Sequence, residues 1–100
     1  MGAHNFEATA FGATPQEAYE EAVQDSLFEY GHNPYNGTIS TTNGFVMIPK
    51  EDGETDGQWH NRVIDDDRVQ KWEDCACRED TTEPEVNGRK LWVFAGWASS

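Results

Sequence analysis

The stretch that decides the fold is residues 5–31, which read NFEATAFGATPQEAYEEAVQDSLFEYG. We interpret residues 5–11 as a β-strand and residues 15–30 as an α-helix. Gly31 is suited to end the helix, because glycine adopts the left-handed conformation at no steric cost. A strand that passes directly into a helix predicts a domain in which this helix covers a sheet.

The signals for the helix start are local and mutually consistent. Thr14 can accept a hydrogen bond from a first-turn amide, and Glu17, three residues later, completes a capping box. Pro15 occupies the first helical position, where its missing N–H costs nothing. Apolar and small side chains then recur at helical spacing and predict one buried face, formed by Ala18, Tyr19, Ala22, Val23, Ser26, Leu27 and Tyr30.

The chain is short and strongly acidic. Its 100 residues fit a single domain spanning 1–100, and 19 Asp and Glu against 7 Lys and Arg give a net charge of −12. Such a charge repels nucleic acid and anionic membranes and attracts basic surfaces. We therefore expect no direct nucleic-acid or membrane partner. The sequence shows no apolar run long enough to span a bilayer and no signal-like segment, so we expect a location in the cytoplasm of a bacterial or archaeal host.

A β-hairpin is predicted after the first helix. Residues 38–42 and 45–48 are rich in β-branched and apolar side chains, and the Asn43-Gly44 pair between them is a strong signal for a hairpin turn. Pro49 is expected to end the second strand.

The middle of the chain is acidic and polar. We predict a mobile acidic segment at about 50–58, a short helix near 66–76 with its N-terminus at the Asp65–Asp67 cluster, and a polar loop at about 78–88.

Residues 90–98 form the most apolar run in the chain and are predicted to be the last strand. Leu91, Val93, Ala95 and Trp97 would share one face, and Trp92, Phe94 and Ala98 the other. Because both faces are apolar, we favour a central strand; the alternative is an edge strand with an aromatic patch, through which a homodimer would form. The predicted fold is α+β, with a mainly antiparallel sheet, one long helix on one face and a second short helix.

Motifs of catalysis are scarce. The chain has no Gly-x-Ser-x-Gly elbow and no Gly-rich phosphate loop, so we expect no enzyme, no catalytic residue and no cofactor. Two alternatives stay open: a ligand pocket at Tyr30, His32 and Tyr35, and a metal site at Cys75 and Cys77. The cysteine pair is half of a zinc motif at an uncommon spacing, and we predict reduced thiols and no metal site.

Two stretches of the sequence resemble known families. The segment from Gly12 to Ala22 resembles the strand-to-helix passage of HicB-type antitoxins. Their fold is a partial double-stranded-RNA-binding domain, and their toxin partner is basic and binds RNA. This resemblance implies an antitoxin-like partner of a basic toxin.

The second resemblance covers both ends of the chain. Gly2-Ala3 with Phe6, residues 29–32, residues 35–39 and residues 94–99 together resemble a group of small bacteriophage proteins of unassigned activity. This resemblance implies a phage accessory protein that disarms a host defence, and it implies no catalytic residue.

These observations lead to one functional hypothesis with two alternatives. We expect a phage inhibitor whose acidic surface binds a basic, nucleic-acid-handling host protein, such as a CRISPR or restriction effector, in place of nucleic acid. The alternatives are a ligand binder or enzyme that uses His32 with Tyr30 and Tyr35, and an antitoxin-like protein. The expected partner-binding residues are Glu51, Asp52, Glu54, Asp56, Asp65, Asp66 and Asp67, with a second candidate surface formed by Glu17, Glu20, Glu21, Asp25 and Glu29.

Overall fold

The computed structural model describes residues 3–30, 39, 42–70 and 73–99. The elements follow in the order β1 (Ala3–Gly12), α1 (Pro15–Tyr30), β2 (Gly44–Met47), α2 (Asp56–Ile64), β3 (Asp74–Glu79) and β4 (Lys90–Ser99). The α+β class is confirmed, as are the first strand, the long helix and the last strand.

The passage from β1 to α1 follows the local signals. The Glu17 amide donates a hydrogen bond of 3.2 Å to Thr14 Oγ1, as expected of a threonine N-cap. Gly12 is required here by space, because a Cβ atom at this position would lie 2.6 Å from the Ala18 amide nitrogen. Strand and helix therefore approach each other more closely than a larger residue would permit.

The sheet has four strands in the order β1-β4-β3-β2. β4 pairs antiparallel with β1 and with β3, whereas β2 pairs parallel with β3. The sheet is therefore mixed, which corrects the expectation of a mainly antiparallel sheet. The central position of β4 is confirmed, and both backbone edges of this strand are paired.

The sheet carries a hydrophobic core on each face. On one face α1 packs through Ala18 and Ala22 against Phe94 of β4, and the Tyr19, Phe45 and Phe94 rings meet at centroid distances of 5.5–6.2 Å. On the other face α2 packs through Trp59 and Val63 on alternate residues of β3 and β4, namely Ala76, Val93 and Ala95. The apolar residues on both faces of β4 are thereby explained.

The predicted hairpin is wrong. Residues 38, 40 and 41 lie outside the described residues, and neither Ile39 nor Thr42 belongs to a strand. Gly44 begins β2 instead of closing a turn, and β2 pairs with β3, which follows α2 in the chain. A parallel pair needs a crossover connection, and α2 supplies it.

The predicted helix near 66–76 is also wrong. Residues 74–79 form β3, in which Cys75, Ala76 and Cys77 are all fully buried. A strand between β2 and β4 buries successive side chains on opposite faces of the sheet, and two helices cover those faces. Residues 71 and 72 lie outside the described residues.

The second helix, α2, lies earlier than predicted. The expected acidic loop over 50–58 gives way to this helix at Asp56. Thr55 caps it in a reciprocal capping box with Gln58, with hydrogen bonds of 3.1 Å and 2.9 Å. The expected polar loop near 78–88 begins two residues later, because β3 continues to Glu79.

Candidate functional site

The two groups of candidate acidic residues lie on opposite faces of the sheet. Glu17, Glu20, Glu21 and Asp25 belong to α1, which covers one face. The acids between residues 51 and 67 lie in and around α2, which covers the other. The structure therefore offers two separate acidic surfaces instead of one continuous surface.

The surface of α1 is a continuous stripe. Glu17, Glu20, Glu21, Gln24, Asp25 and Phe28 are all exposed. Their spacing places Glu17, Glu20, Gln24 and Phe28 well away from the buried Ala18 and Ala22, with Glu21 and Asp25 closer to that buried face. We call these six residues the α1 stripe. The side chain of Glu29 lies outside the described residues.

Phe28 stands at the C-terminal end of the α1 stripe and is 92% exposed. It lies beside Gln24, Asp25 and Leu27. An exposed aromatic side chain is a candidate anchor for a protein partner, because aromatic residues supply much of the affinity at the centres of interfaces. Sequence reasoning did not single out Phe28, although its position among acidic residues on one helical face was readable from the spacing.

Several acids around α2 are held by cations of the chain itself. The Glu54 carboxylate accepts two hydrogen bonds of 2.8 Å from the Arg62 guanidinium. These bonds lower the pKa of Glu54 to about 2. Arg68 binds both oxygens of Asp66 at 2.8–2.9 Å and lowers the pKa of that carboxyl to about 2. The Glu54 and Asp66 carboxylates therefore stay charged at neutral pH, and each is paired with an arginine.

Asp56 is the most heavily engaged of these acids. Its Oδ1 atom contacts the Lys50 ammonium and lies 3.1 Å from Arg78 Nη2. The hydrogen bond from Lys50 is the main reason that the pKa of Asp56 is lowered. Arg78 is 4% exposed and stacks over the Trp59 ring at 4.6 Å. Asp56 therefore neutralises an otherwise buried charge, which gives it a structural role.

The remaining candidates of this group are exposed. Asp52, Asp65 and Asp67 project into solvent, and Glu51 lies 3.9 Å from Arg62 Nε. Within the described ranges, which omit Lys71, no Lys or Arg nitrogen lies within 4.0 Å of Asp52, Asp65 or Asp67.

Every described cation is paired. The chain has seven Lys and Arg, and the six other than Lys71 each contact a carboxylate: Lys50, Arg62, Arg68, Arg78, Arg89 and Lys90. Among the described side chains of the α1 stripe, only Glu17 contacts a described cation, Arg89, whose Nε lies 3.5 Å from the carboxylate. The part of the surface that the structure describes is therefore negative, with its few positive groups already occupied.

Of the two alternative sites, the structure describes only the cysteine pair. The predicted pocket at Tyr30, His32 and Tyr35 lies outside the described side chains. Cys75 and Cys77 are free thiols buried in the core. Burial raises the pKa of both thiols, that of Cys77 to about 12, and the neighbouring Cys77 raises that of Cys75 further. Protonated thiols without access to solvent are poor nucleophiles and poor metal ligands.

Among the described residues, no three His, Cys, Asp or Glu side chains converge as ligands of a metal ion would. Among the described side chains, that of His60 has polar neighbours. Its Nε2 atom lies 3.3 Å from Asn5 Oδ1, and its Nδ1 atom lies 4.0 Å from Glu7. The contacts of His60 with Asn5 and Glu7 join α2 to β1. They bring together one imidazole and one carboxylate, which are fewer ligands than a structural zinc site needs.

A cleft of about 370 Å³ opens where the C-terminal ends of β2 and β3 meet, and its wall includes Lys50, Arg78 and Trp92. Both cations of this wall contact Asp56. An anionic ligand would have to displace that carboxylate, so the cleft gives the small-ligand alternative little support.

The comparisons with known proteins identify no relative of this chain. No protein-family model, no curated protein and no solved structure matches this chain at a meaningful level. In the part of the chain that the structure describes, neither helix has the length and hydrophobicity needed to cross a bilayer.

Proposed function

We propose that this protein is an inhibitor that binds a basic, nucleic-acid-handling protein and occupies the surface that would otherwise hold nucleic acid. The observation that carries the proposal is the α1 stripe, in which three exposed carboxylates without a described cationic partner precede an exposed Phe28 on the same helix. The resemblance to small phage proteins supports a target in host defence, such as a CRISPR or restriction effector.

The charge spacing of the α1 stripe suits a site for phosphates. From Glu17 to Asp25 the helix rises about 12 Å, at about 1.5 Å per residue. Four carboxylates over this length are separated by about 1.5–6 Å along the axis, about 4 Å on average, and one strand of DNA carries a charge about every 3.4 Å. A groove with cations arranged for a nucleic-acid strand would therefore meet a similar mean density of charge along α1.

Phe28 favours a protein partner. Charge-driven association is strong at a distance but gives little affinity in salt. An aromatic side chain that fills a pocket at the centre of an interface supplies much of the affinity of a protein complex. The stripe thus combines charges that attract a basic partner with a ring suited to anchor it.

The acids around α2 form the second candidate surface. Glu54, Asp56 and Asp66 are held by Arg62, Lys50 with Arg78, and Arg68, respectively. A partner would have to break these pairs to use the carboxylates fully. We therefore place the main contact on α1, with Asp52, Asp65 and Asp67 as the alternative.

The test begins with capture of host proteins on the tagged chain from a nuclease-treated bacterial lysate, followed by their identification by mass spectrometry. The captured protein is then purified, and its affinity for this chain is measured with and without its own DNA or RNA. We expect a CRISPR or restriction effector, competition with its nucleic acid, and weaker binding as salt rises from about 0.1 M to about 0.5 M.

Matched triple variants identify the surface. Glu20→Gln/Glu21→Gln/Asp25→Asn removes three charges from α1, and Asp52→Asn/Asp65→Asn/Asp67→Asn removes three from the side of α2. We expect the first triple to weaken binding by about tenfold or more and the second by less than about threefold. Phe28→Gln, which keeps the charge, is also expected to weaken binding.

Three results would contradict the proposal. Capture of no effector of either class would remove its basis, and capture of a single small basic toxin would favour the antitoxin-like alternative. An effector that binds this chain and its nucleic acid at the same time would exclude occupation of the nucleic-acid site.

A further inference from the structure

The first strand has one edge with no partner among the described strands. β1 spans ten residues, Ala3–Gly12, and stands at the end of the sheet beside β4. Each antiparallel neighbour uses only one edge of a strand. The outer edge of β1 therefore presents a row of backbone N–H and C=O groups on which another strand can add.

This edge lacks the features that normally prevent strand addition. Natural edge strands carry lysines, prolines or bulges that interrupt pairing. β1 contains no Lys, Arg or Pro, and its register with β4 runs without interruption from Ala3↔Ser99 to Gly12↔Lys90, so it has no bulge. In a chain with a net charge of −12, the single carboxylate of β1, on Glu7, makes this strand an unusually uncharged surface.

Apolar side chains lie along the same strand. Phe11 is 40% exposed at the C-terminal end of β1, on the face of the sheet opposite α1. Phe6 and Ala8, on the face under α1, are only half-buried. Strand addition at this edge would cover apolar surface on both faces of the sheet.

We propose that β1 pairs antiparallel with β1 of a second copy of this chain, about a two-fold axis at Ala8, to form a continuous eight-stranded sheet. Such an axis stands perpendicular to the sheet and preserves its two faces, so it pairs positions that point to the same side.

The charges of the side chains favour an axis at Ala8 over one at Glu7. An axis at Ala8 places Glu7 opposite the partner's Thr9, Phe6 opposite the partner's Ala10, and Asn5 opposite the partner's Phe11. An axis at Glu7 would place two carboxylates directly opposite each other, which is unfavourable. The register at Ala8 avoids this repulsion and gives each Phe ring a neighbour on the other copy.

A second copy fits this edge better than a basic partner. The strand offers one carboxylate, and His60 Nδ1 lies 4.0 Å from it, whereas the exposed acids without a described cationic partner lie on α1, around α2 and in the segments on either side of β3, such as Glu73, Glu83 and Glu85. Pairing through β1 brings together the least charged surfaces of two acidic molecules, which limits their mutual repulsion. Both α1 helices would then lie on one face of the joined sheet.

The test is the mass of the purified protein, measured across a range of concentrations by sedimentation equilibrium, against a monomer mass of 11.3 kDa. We expect a dimer. Thr9→Glu places a carboxylate opposite Glu7 at two symmetric contacts and should weaken the dimer about two- to thirtyfold, and Thr9→Lys should strengthen it over a similar range.

Gln24→Glu and Gln24→Lys are the matched controls. They change the net charge equally at an exposed position of α1 and should shift dimerisation much less than the changes at Thr9. A monomer at every concentration would overturn the proposal, and so would a dimer that responds equally to changes at Gln24 and Thr9.

A covalent readout tests the axis itself. Two Cβ atoms directly opposite each other in an antiparallel pair are about 4.5–5.5 Å apart, and a disulfide spans about 3.5–4.5 Å, so a small approach of the two strands allows the bond. Ala8→Cys should therefore form a disulfide-linked dimer under mild oxidation, while the native thiols stay buried. A non-covalent dimer in which Ala8→Cys does not cross-link would overturn the register. None of these measurements requires the target of the proposed inhibitor.

Discussion

The Arg78 guanidinium lies 4.6 Å from the centroid of the Trp59 ring, and this contact joins β3 to α2. The Trp59 side chain is fully buried, and its Nε1 atom donates a hydrogen bond of 2.7 Å to the Ile48 carbonyl oxygen. One residue of α2 thus contacts the chain that leaves β2 and the strand that pairs with β2. Through these two contacts of Trp59, α2 holds the end of β2 beside β3 and so stabilises the parallel part of the sheet.

Trp59→Phe should destabilise the protein by about 1–3 kcal/mol, because the buried Ile48 carbonyl loses its donor. The free energy of unfolding, measured in urea, checks this. Trp97→Phe is the control, since Trp97 makes an equivalent bond of 2.7 Å to the Ile64 carbonyl from a half-buried position. Water can replace that bond more readily, so a smaller loss is expected. Equal losses would contradict the argument from burial.

Two glycine substitutions should act in opposite directions. A Cβ atom at Gly96 of β4 would lie 3.0 Å from Cys75 Cβ and 3.3 Å from Val69 Cγ1, so Gly96→Ala overpacks the core and should cost about 1–3 kcal/mol. Gly57 lies in α2 with no atom within 4 Å of such a Cβ. Gly57→Ala should therefore stabilise the protein by about 0.5–1 kcal/mol. Thermal unfolding of both variants gives the two signs directly, and a stabilising Gly96→Ala would refute the close packing of β3 and β4.

Glu54 should make the stability depend on pH in the acid range. Its pKa is about 2 in the folded protein because Arg62 binds the carboxylate, whereas an unfolded glutamate has a pKa of about 4.3. The stabilisation is therefore complete above about pH 5 and is lost as the pH falls towards about 2. Glu54→Gln should have a lower melting temperature than the native protein at neutral pH, and the difference should vanish near pH 2. A difference that does not change with pH would contradict this assignment.

The thiols of Cys75 and Cys77 should be unreactive in the folded protein. Both are buried, and burial raises the pKa of each thiol. An aromatic disulfide reagent at about pH 8 should label neither thiol at an appreciable rate under native conditions and both in guanidinium chloride, because only the exposed thiolate reacts. Rapid labelling of the native protein would show that the core of β3 opens to solvent. A metal chelator is expected to leave the rate unchanged.

Local signals predicted the elements at both ends of the chain. The N-cap at Thr14, the proline that follows and the apolar spacing of α1 all act within a few residues, and the structure confirms the helix they predict. The capping box of Thr55 and Gln58 is a signal of the same kind, and the sequence would have revealed α2 had this signal been weighed against the acidic composition around it. The apolar residues of both faces of β4 likewise predicted its central position.

The sequence by itself determined the α+β class, the place of β1, α1 and β4, and the excess of acid, because helix caps, apolar spacing and charge are properties of neighbouring residues. Only the tertiary structure decided that β2 pairs with β3 and not with the residues before Gly44. It also decided which carboxylates are balanced, as Arg62 balances Glu54 and Arg78 contacts Asp56. Strand pairing and charge pairing depend on distances between residues far apart in the chain, and packing of α2 against the sheet sets those distances.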